Sequence, residues 1–220
     1  MANREGGRRI VRPATLVALV LSLSITLGSL LFIVWRLANP SFSEGPVAQV
    51  DSASFFDGAT HVDPPRQLSE FKLLGTDGEP LGLTDLKGRA TLLVFGYTRC
   101  PDYCPLTLKD FTRVKAALGD SAEDVNLVMV SVDGEVDQPL RLRDWLATFD
   151  PAILGMTGAR EEVRRIGEEF GLYLANSSQP GLLDHSTSSF LIDRDGRLRT
   201  TFTVGTSPAV IVDYVQQVLN

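Results

Sequence analysis

The 220-residue sequence predicts an α/β domain, a mixed sheet flanked by helices on both faces, preceded by one N-terminal transmembrane helix. Three observations lead there. Short uncharged runs rich in β-branched and aromatic residues recur from residue 71 onward, as in strands buried on both faces. Stretches with apolar residues at helical spacing separate them. Two pairs of short runs close on turns containing Asp-Gly and read as hairpins.

Ala14 to Trp35 contains no charged residue, and at about 1.5 Å per residue it spans roughly 33 Å, enough for the hydrocarbon core of a bilayer. The run exceeds the apolar region of a signal peptide and ends in Trp35-Arg36 rather than a small-residue cleavage site. Arg4, Arg8, Arg9 and Arg12 lie within residues 1–13, and only Arg36 follows the run closely. This asymmetry assigns residues 1–13 to the cytoplasm, 14–35 to the membrane and the rest to the outside, an oxidising space such as a bacterial periplasm beyond the inner membrane. Residues 36–66 mix Ser, Gly, Pro and Asp with little periodicity and read as a linker, with His61 as a solvated side chain in it.

Residues 67–220 form the folded domain. Phe71 to Leu74 and Pro80 to Leu83 flank Thr76-Asp77-Gly78 as a first hairpin, and Thr84 to Gly88 supplies a turn of helix at most. Thr91 to Phe95 is a buried strand ended by Gly96. Leu106, Phe111, Val114 and Leu118 mark a helix running to Gly119. Asn126 to Val132 is a second buried strand, Pro139 to Phe149 a helix with Leu142, Trp145 and Leu146 on one face, and Ile153 to Met156 a short strand. Glu161 to Phe170 is an amphipathic helix, and Leu172 to Ala175 another short strand. Ser189 to Ile192 and Leu198 to Val204 form the second hairpin, and Pro208 to Leu219 the closing helix.

Composition narrows the partners. Setting aside residues 1–40, the 21 basic and 27 acidic side chains fall to 16 and 26, a net charge near −10 for the exported part. Such a surface repels nucleic acid and anionic lipid and suits a basic protein.

Both cysteines of the chain lie directly after the first buried strand, in Cys100-Pro101-Asp102-Tyr103-Cys104-Pro105. Pro105 suits the first turn of a helix, which places Cys104 near the helix start, where free N–H groups and the helix dipole favour a thiolate. Two soft donors four residues apart on a turn either close a disulfide or hold a thiophilic metal. A disulfide closing so short a loop constrains little of the unfolded chain, so the pair reads as a presented site rather than a staple. His185, in Gly181-Leu182-Leu183-Asp184-His185-Ser186, is the only histidine of residues 67–220 and lies among turn-forming residues. Joined to two thiolates, its nitrogen makes an S₂N set that suits copper, with zinc also open. Asp133, Glu135 and Asp137 cluster after a strand end, either as a solvated loop or near the site. Met129, Met156 and Trp145 read as core. No phosphate-binding glycine loop, H-E-x-x-H or serine elbow is present.

The run Phe95-Gly96-Tyr97-Thr98-Arg99-Cys100-Pro101-Asp102-Tyr103-Cys104-Pro105, with Asp184-His185-Ser186 and Phe190-Leu191-Ile192-Asp193 downstream, resembles the Sco/SenC proteins. The resemblance runs from about Leu68 to Asn220. It implies a thioredoxin-like fold and membrane-tethered copper chaperones of cytochrome c oxidase assembly rather than enzymes. By the same resemblance Cys100, Cys104 and His185 are copper ligands, the partners are the copper-centre subunit of the oxidase and thioredoxin-type thiol reductants, and accessory thiol-disulfide reductase activity is open. Family members usually carry Asp-Pro-x-Arg-Asp where this chain has Asp133-Gly134-Glu135-Val136-Asp137, so Val136 replaces an arginine. The competing reading is a thiol-disulfide oxidoreductase or redox sensor on the same fold, in which Cys100 and Cys104 are a redox pair and His185 is incidental.

Overall fold

The computed structural model describes residues 26–35, 57–177 and 182–220. Residues 26–35 form a helix, α1, in a unit separate from Asp51–Asn220. Residues 14–25 of the expected span lie outside the described residues, and among the described residues no helix is long and apolar enough to cross a membrane.

The second unit is built on an eight-stranded sheet. Its strands are β1 (Ala59–Gln67), β2 (Lys72–Gly75), β3 (Pro80–Gly82), β4 (Ala90–Gly96), β5 (Val125–Ser131), β6 (Leu154–Thr157), β9 (Ser189–Ile192) and β10 (Arg197–Phe202). Between β6 and β9 in sequence lie β7 (Leu174–Asn176) and β8 (Leu183–His185), which pair only with each other. The helices are α2 (Leu83–Leu86), α3 (Tyr103–Leu118), α4 (Pro139–Leu146), α5 (Arg160–Glu168) and α6 (Pro208–Leu219). Strand order in the large sheet is β1-β10-β9-β4-β5-β6-β2-β3. β4, β5 and β6 run parallel through helical crossovers, while β9 and β2 flank them antiparallel.

β4 is buried along its whole length, so its alternating side chains feed two cores. Leu93 and Phe95 join Val130, Phe190 and α5 residues Val163 and Ile166 on one face. Leu92 and Val94 join Met129, Phe111 of α3 and Val215 of α6 on the other. The continuous apolar runs follow from this two-sided burial. Met129 and Met156 are fully buried, and Trp145 packs partly buried beside both clusters, as core residues should.

Three features depart from the sequence reading. Ala59–Gln67, all but its last residue placed in the linker, is β1, an edge strand that pairs antiparallel with β10 and carries exposed His61 opposite Thr200. Its pattern was hidden because Pro64 and Pro65 lack donors and interrupt the ladder, where the register shifts between His61 and Arg66. β8 was likewise read as turn-forming. Leu106 faces solvent, and the inward stripe of α3 is Cys104, Thr107, Leu108, Phe111, Val114 and Leu118, which keeps strict i, i+3, i+4 spacing.

Phe95, fully buried, meets Phe170 and Phe190 edge-on with ring centroids 5.3 and 6.1 Å away. Phe95→Ala should cost about 3–5 kcal/mol of stability, read as a lowered urea midpoint at unchanged slope.

Candidate metal centre

The site forms where β4 ends and α3 begins. Gly96 is the last residue of β4, and a Cβ there would stand 2.8 Å from Cys104 Sγ and 3.1 Å from Met129 Cε. Only a bare backbone lets the sulfur pack against the strand end. The chain then turns tightly, with the Cys100 N–H donating to the Tyr97 carbonyl at 3.1 Å.

Each residue of that turn is tied to another element. Thr98 donates from its backbone N–H (2.8 Å) and its hydroxyl to Asp137, a fully buried carboxylate that also accepts from the Ser131 hydroxyl at 2.8 Å. Arg99 forms an ion pair with Asp133 at 2.6 Å. Two members of the acidic cluster therefore face inward and brace the cysteine turn, while Glu135 is exposed. Gly134 between them abuts the next loop so closely that a Cβ would lie 1.9 Å from the Gly158 carbonyl oxygen.

His185 arrives on the small β7–β8 sheet. Its Nδ1–H donates to the Ser186 carbonyl at 2.7 Å, which in the neutral ring leaves the lone pair on Nε2. Nε2 lies 3.9 Å from Cys104 Sγ. The ring of Tyr97 meets His185 edge-on at 5.6 Å, and burial, the largest influence, pushes the Tyr97 hydroxyl pKa up. Cys100 Sγ, Cys104 Sγ and a His185 nitrogen all lie within 4.8 Å of one another. Among the described residues they are the one group of three or more His, Cys, Asp or Glu side chains placed to hold a metal ion. Asp133, Glu135 and Asp137 are not part of it.

The two cysteines are free thiols and differ sharply. The Cys104 thiol donates to Cys100, and this bond, helped by backbone N–H groups at the helix start, outweighs burial and pulls Cys100 down to about 3. Cys104, as the donor and the more buried of the two, is pushed up. The thiolate expected near the helix start therefore belongs to Cys100, just before the helix, rather than to Cys104 inside its first turn. Asp102, the N-cap residue, makes no side-chain cap bond, which leaves the helix N–H groups to the sulfur. The three residues singled out in the sequence are brought together here. Sequence reading did not reach their supports. It missed the bracing roles of Tyr97, Thr98 and Arg99, whose partners lie 34 to 86 residues away.

A thioredoxin-like domain thus presents two sulfurs and an imidazole at the junction of a central strand and its helix. The SCO1/SenC family model matches residues 60–220, and the chain belongs to that family. It is 29% identical over 206 residues to the SCO2-like protein of Rickettsia felis, covering 91% of this chain and 95% of that one. Copper-bound ScoI of Bradyrhizobium japonicum superposes with a TM-score of 0.62 at 31% identity, over 69% of this chain and 99% of that chain. BsSco, a member of the Sco family of cytochrome c oxidase assembly proteins with an identified disulfide switch, superposes with a TM-score of 0.59 at 25% identity, over 70% and 94%.

At neutral pH the folded pair holds one proton where the unfolded chain, with both sulfurs near 9.0, holds two. Stability from the pair should rise with pH from about 3 to about 9.0, then fall above it because Cys104 keeps its proton. Ultraviolet thiolate absorbance should show one thiolate per reduced chain at neutral pH, lost in Cys100→Ser and moved to higher pH in Cys104→Ser as the Cys100 pKa returns toward the ordinary thiol range.

Proposed function

We propose that this chain is a membrane-anchored copper metallochaperone that delivers copper to the binuclear copper centre of a cytochrome c oxidase, or reduces that centre's cysteines. The observation that carries the reading is the convergence of two sulfurs and one committed imidazole nitrogen within 4.8 Å. Copper is the cargo, and Cys100, Cys104 and His185 are its ligands. The donor set fits it: two thiolates suit the soft Cu(I), and the Nε2 lone pair adds the nitrogen that Cu(II) prefers. Metal binding requires the Cys104 proton to leave, which couples loading to pH. Release proceeds by exchange of these ligands for those of the client subunit. The copper-bound relatives support the choice of metal.

The apolar run 14–35 and the arginines before it support an N-terminal anchor with the domain beyond the inner membrane, in the periplasm.

A second use of the pair is favoured by the Cys100 thiolate, the species that attacks disulfides. Cys100 Sγ attacks one sulfur of a client disulfide, the other client sulfur leaves as thiolate, and Cys104, giving up its proton, displaces the remaining one. The client is reduced and Cys100–Cys104 is oxidised, to be reset by a thioredoxin-type reductant.

Reduced protein should bind about one copper per chain and the disulfide form none. His185→Ala should weaken Cu(II) far more than Cu(I) and spare thiol-disulfide exchange, whereas Cys104→Ser should abolish both. Normal oxidase maturation in the His185→Ala strain beside failure in the cysteine mutant would overturn the chaperone reading. For the anchor, a phosphatase that works only outside the cytoplasm, fused after Asn220 in a bacterial host, should be active; an inactive, well-expressed fusion would overturn the orientation.

A further inference from the structure

The donors of the site hang from two different bodies. Cys100 and Cys104 belong to the β4–α3 junction, fixed by Gly96, Asp133 and Asp137. His185 ends β8, in a two-stranded sheet of three residues a strand that makes no ladder bond to the large sheet. Pairs of strands this short are not stable by themselves. Something outside the hairpin has to hold it.

Tyr97 is placed to do so. It is 2% exposed, one residue past β4, and its hydroxyl donates to the Leu183 carbonyl at 3.3 Å while accepting the Leu183 N–H at 3.2 Å. Both backbone groups of one residue are thus satisfied by one phenol. Leu183 lies two residues before His185 on β8, so the grip on its backbone holds the strand that carries the imidazole, and the Tyr97 ring itself meets the His185 ring edge-on at 5.6 Å. Other polar contacts from the hairpin to the large body, among the described residues, include a surface bond from Arg160 to Asn176 at 2.7 Å, opposite Leu183 in the β7–β8 pair, and the approach of His185 Nε2 to Cys104 Sγ at 3.9 Å. Leu182 and Leu183 add partly buried apolar contact.

We infer that the Tyr97 hydroxyl is a latch that holds the His185 hairpin against the sulfurs and thereby sets the preference of the site between the two oxidation states of copper. Tyr97 is a positioning residue, touching the metal only through His185. With the latch closed, a nitrogen donor stands ready and the oxidised ion is held. With it open, the sulfurs stay where β4 and α3 fix them, and the two thiolates still hold the reduced ion. The reduced ion is therefore insensitive to the hairpin, and the oxidised ion is not.

The metal-binding half of this inference rests on the copper reading; the latch itself does not. The test is Tyr97→Phe, which removes the hydroxyl and keeps the ring, in the full chain in detergent. In reduced, metal-free protein, hydrogen exchange read by mass spectrometry should speed by about tenfold in the peptide holding Leu183–His185, the equivalent of losing two ordinary hydrogen bonds, with β4 and β5 peptides unchanged. Cu(II) affinity should fall by about tenfold, with Cu(I) affinity held within about twofold. Adding His185→Ala should cause no further loss of Cu(II) affinity beyond that single change, as for two residues acting through one contact. Unchanged exchange in the hairpin overturns the latch. Faster exchange with equal loss of both ions, or of neither, overturns the oxidation-state preference. Wild-type protein that binds neither ion overturns the copper reading, and the exchange comparison still decides the latch.

Discussion

A single buried carboxylate sets the geometry on which the site depends. Asp137 has no exposed surface, yet it gathers the Thr98 backbone N–H, the Thr98 hydroxyl and the Ser131 hydroxyl, with Arg141 at 3.7 Å on the outside. Burying a charge is tolerable only with such a set of donors. In return the end of β4 and the end of β5 are bound to one point, and the turn between strand and helix loses its freedom. Tyr97, Thr98, Arg99 and Cys100 then follow in succession, each committed to a different element: the histidine hairpin, Asp137, Asp133 and the sulfur pair.

This arrangement explains how two cysteines of identical chemistry come to differ. Cys104 lies inside the first turn of α3, pressed against Gly96, where burial favours the neutral thiol. Cys100 lies outside the helix and collects the N–H groups that the uncapped helix start leaves over. One proton is shared unequally between the sulfurs. The fold thus places a thiolate and a thiol in a single turn, a pairing that suits a nucleophile with a resolving partner and, once the proton is gone, a soft metal seat.

Much of this was legible in the sequence, for reasons that can be stated residue by residue. β4 and β5 announce themselves because both faces of each are buried, leaving unbroken apolar runs. The cysteine turn was legible because Gly96 and Pro105 punctuate it. β1 was not, because its pairing with β10 is a property of the backbone, and its composition is that of a loop. β8 was missed for a related reason: three residues held by a phenol and a neighbouring strand carry no periodicity. His185 was nonetheless identified as a donor, since imidazole is scarce in the domain, but its orientation depends on Ser186 and Tyr97 and has no local signature. That one sulfur would be ionised was legible from the helix start, but which one has the same non-local origin, because which sulfur donates to the other is decided by tertiary contact.

Gly134 carries a further consequence. The acidic turn touches the Gly158 carbonyl so closely that no side chain fits there. A side chain placed at 134 alone would drive its Cβ into the backbone ahead of α5, and the displaced turn would take Asp133 and Asp137 with it. The glycine at 134 and the loop at 158 are therefore interdependent. Each fixes which changes the other tolerates, so that no side chain can be added at 134 without first moving its neighbour.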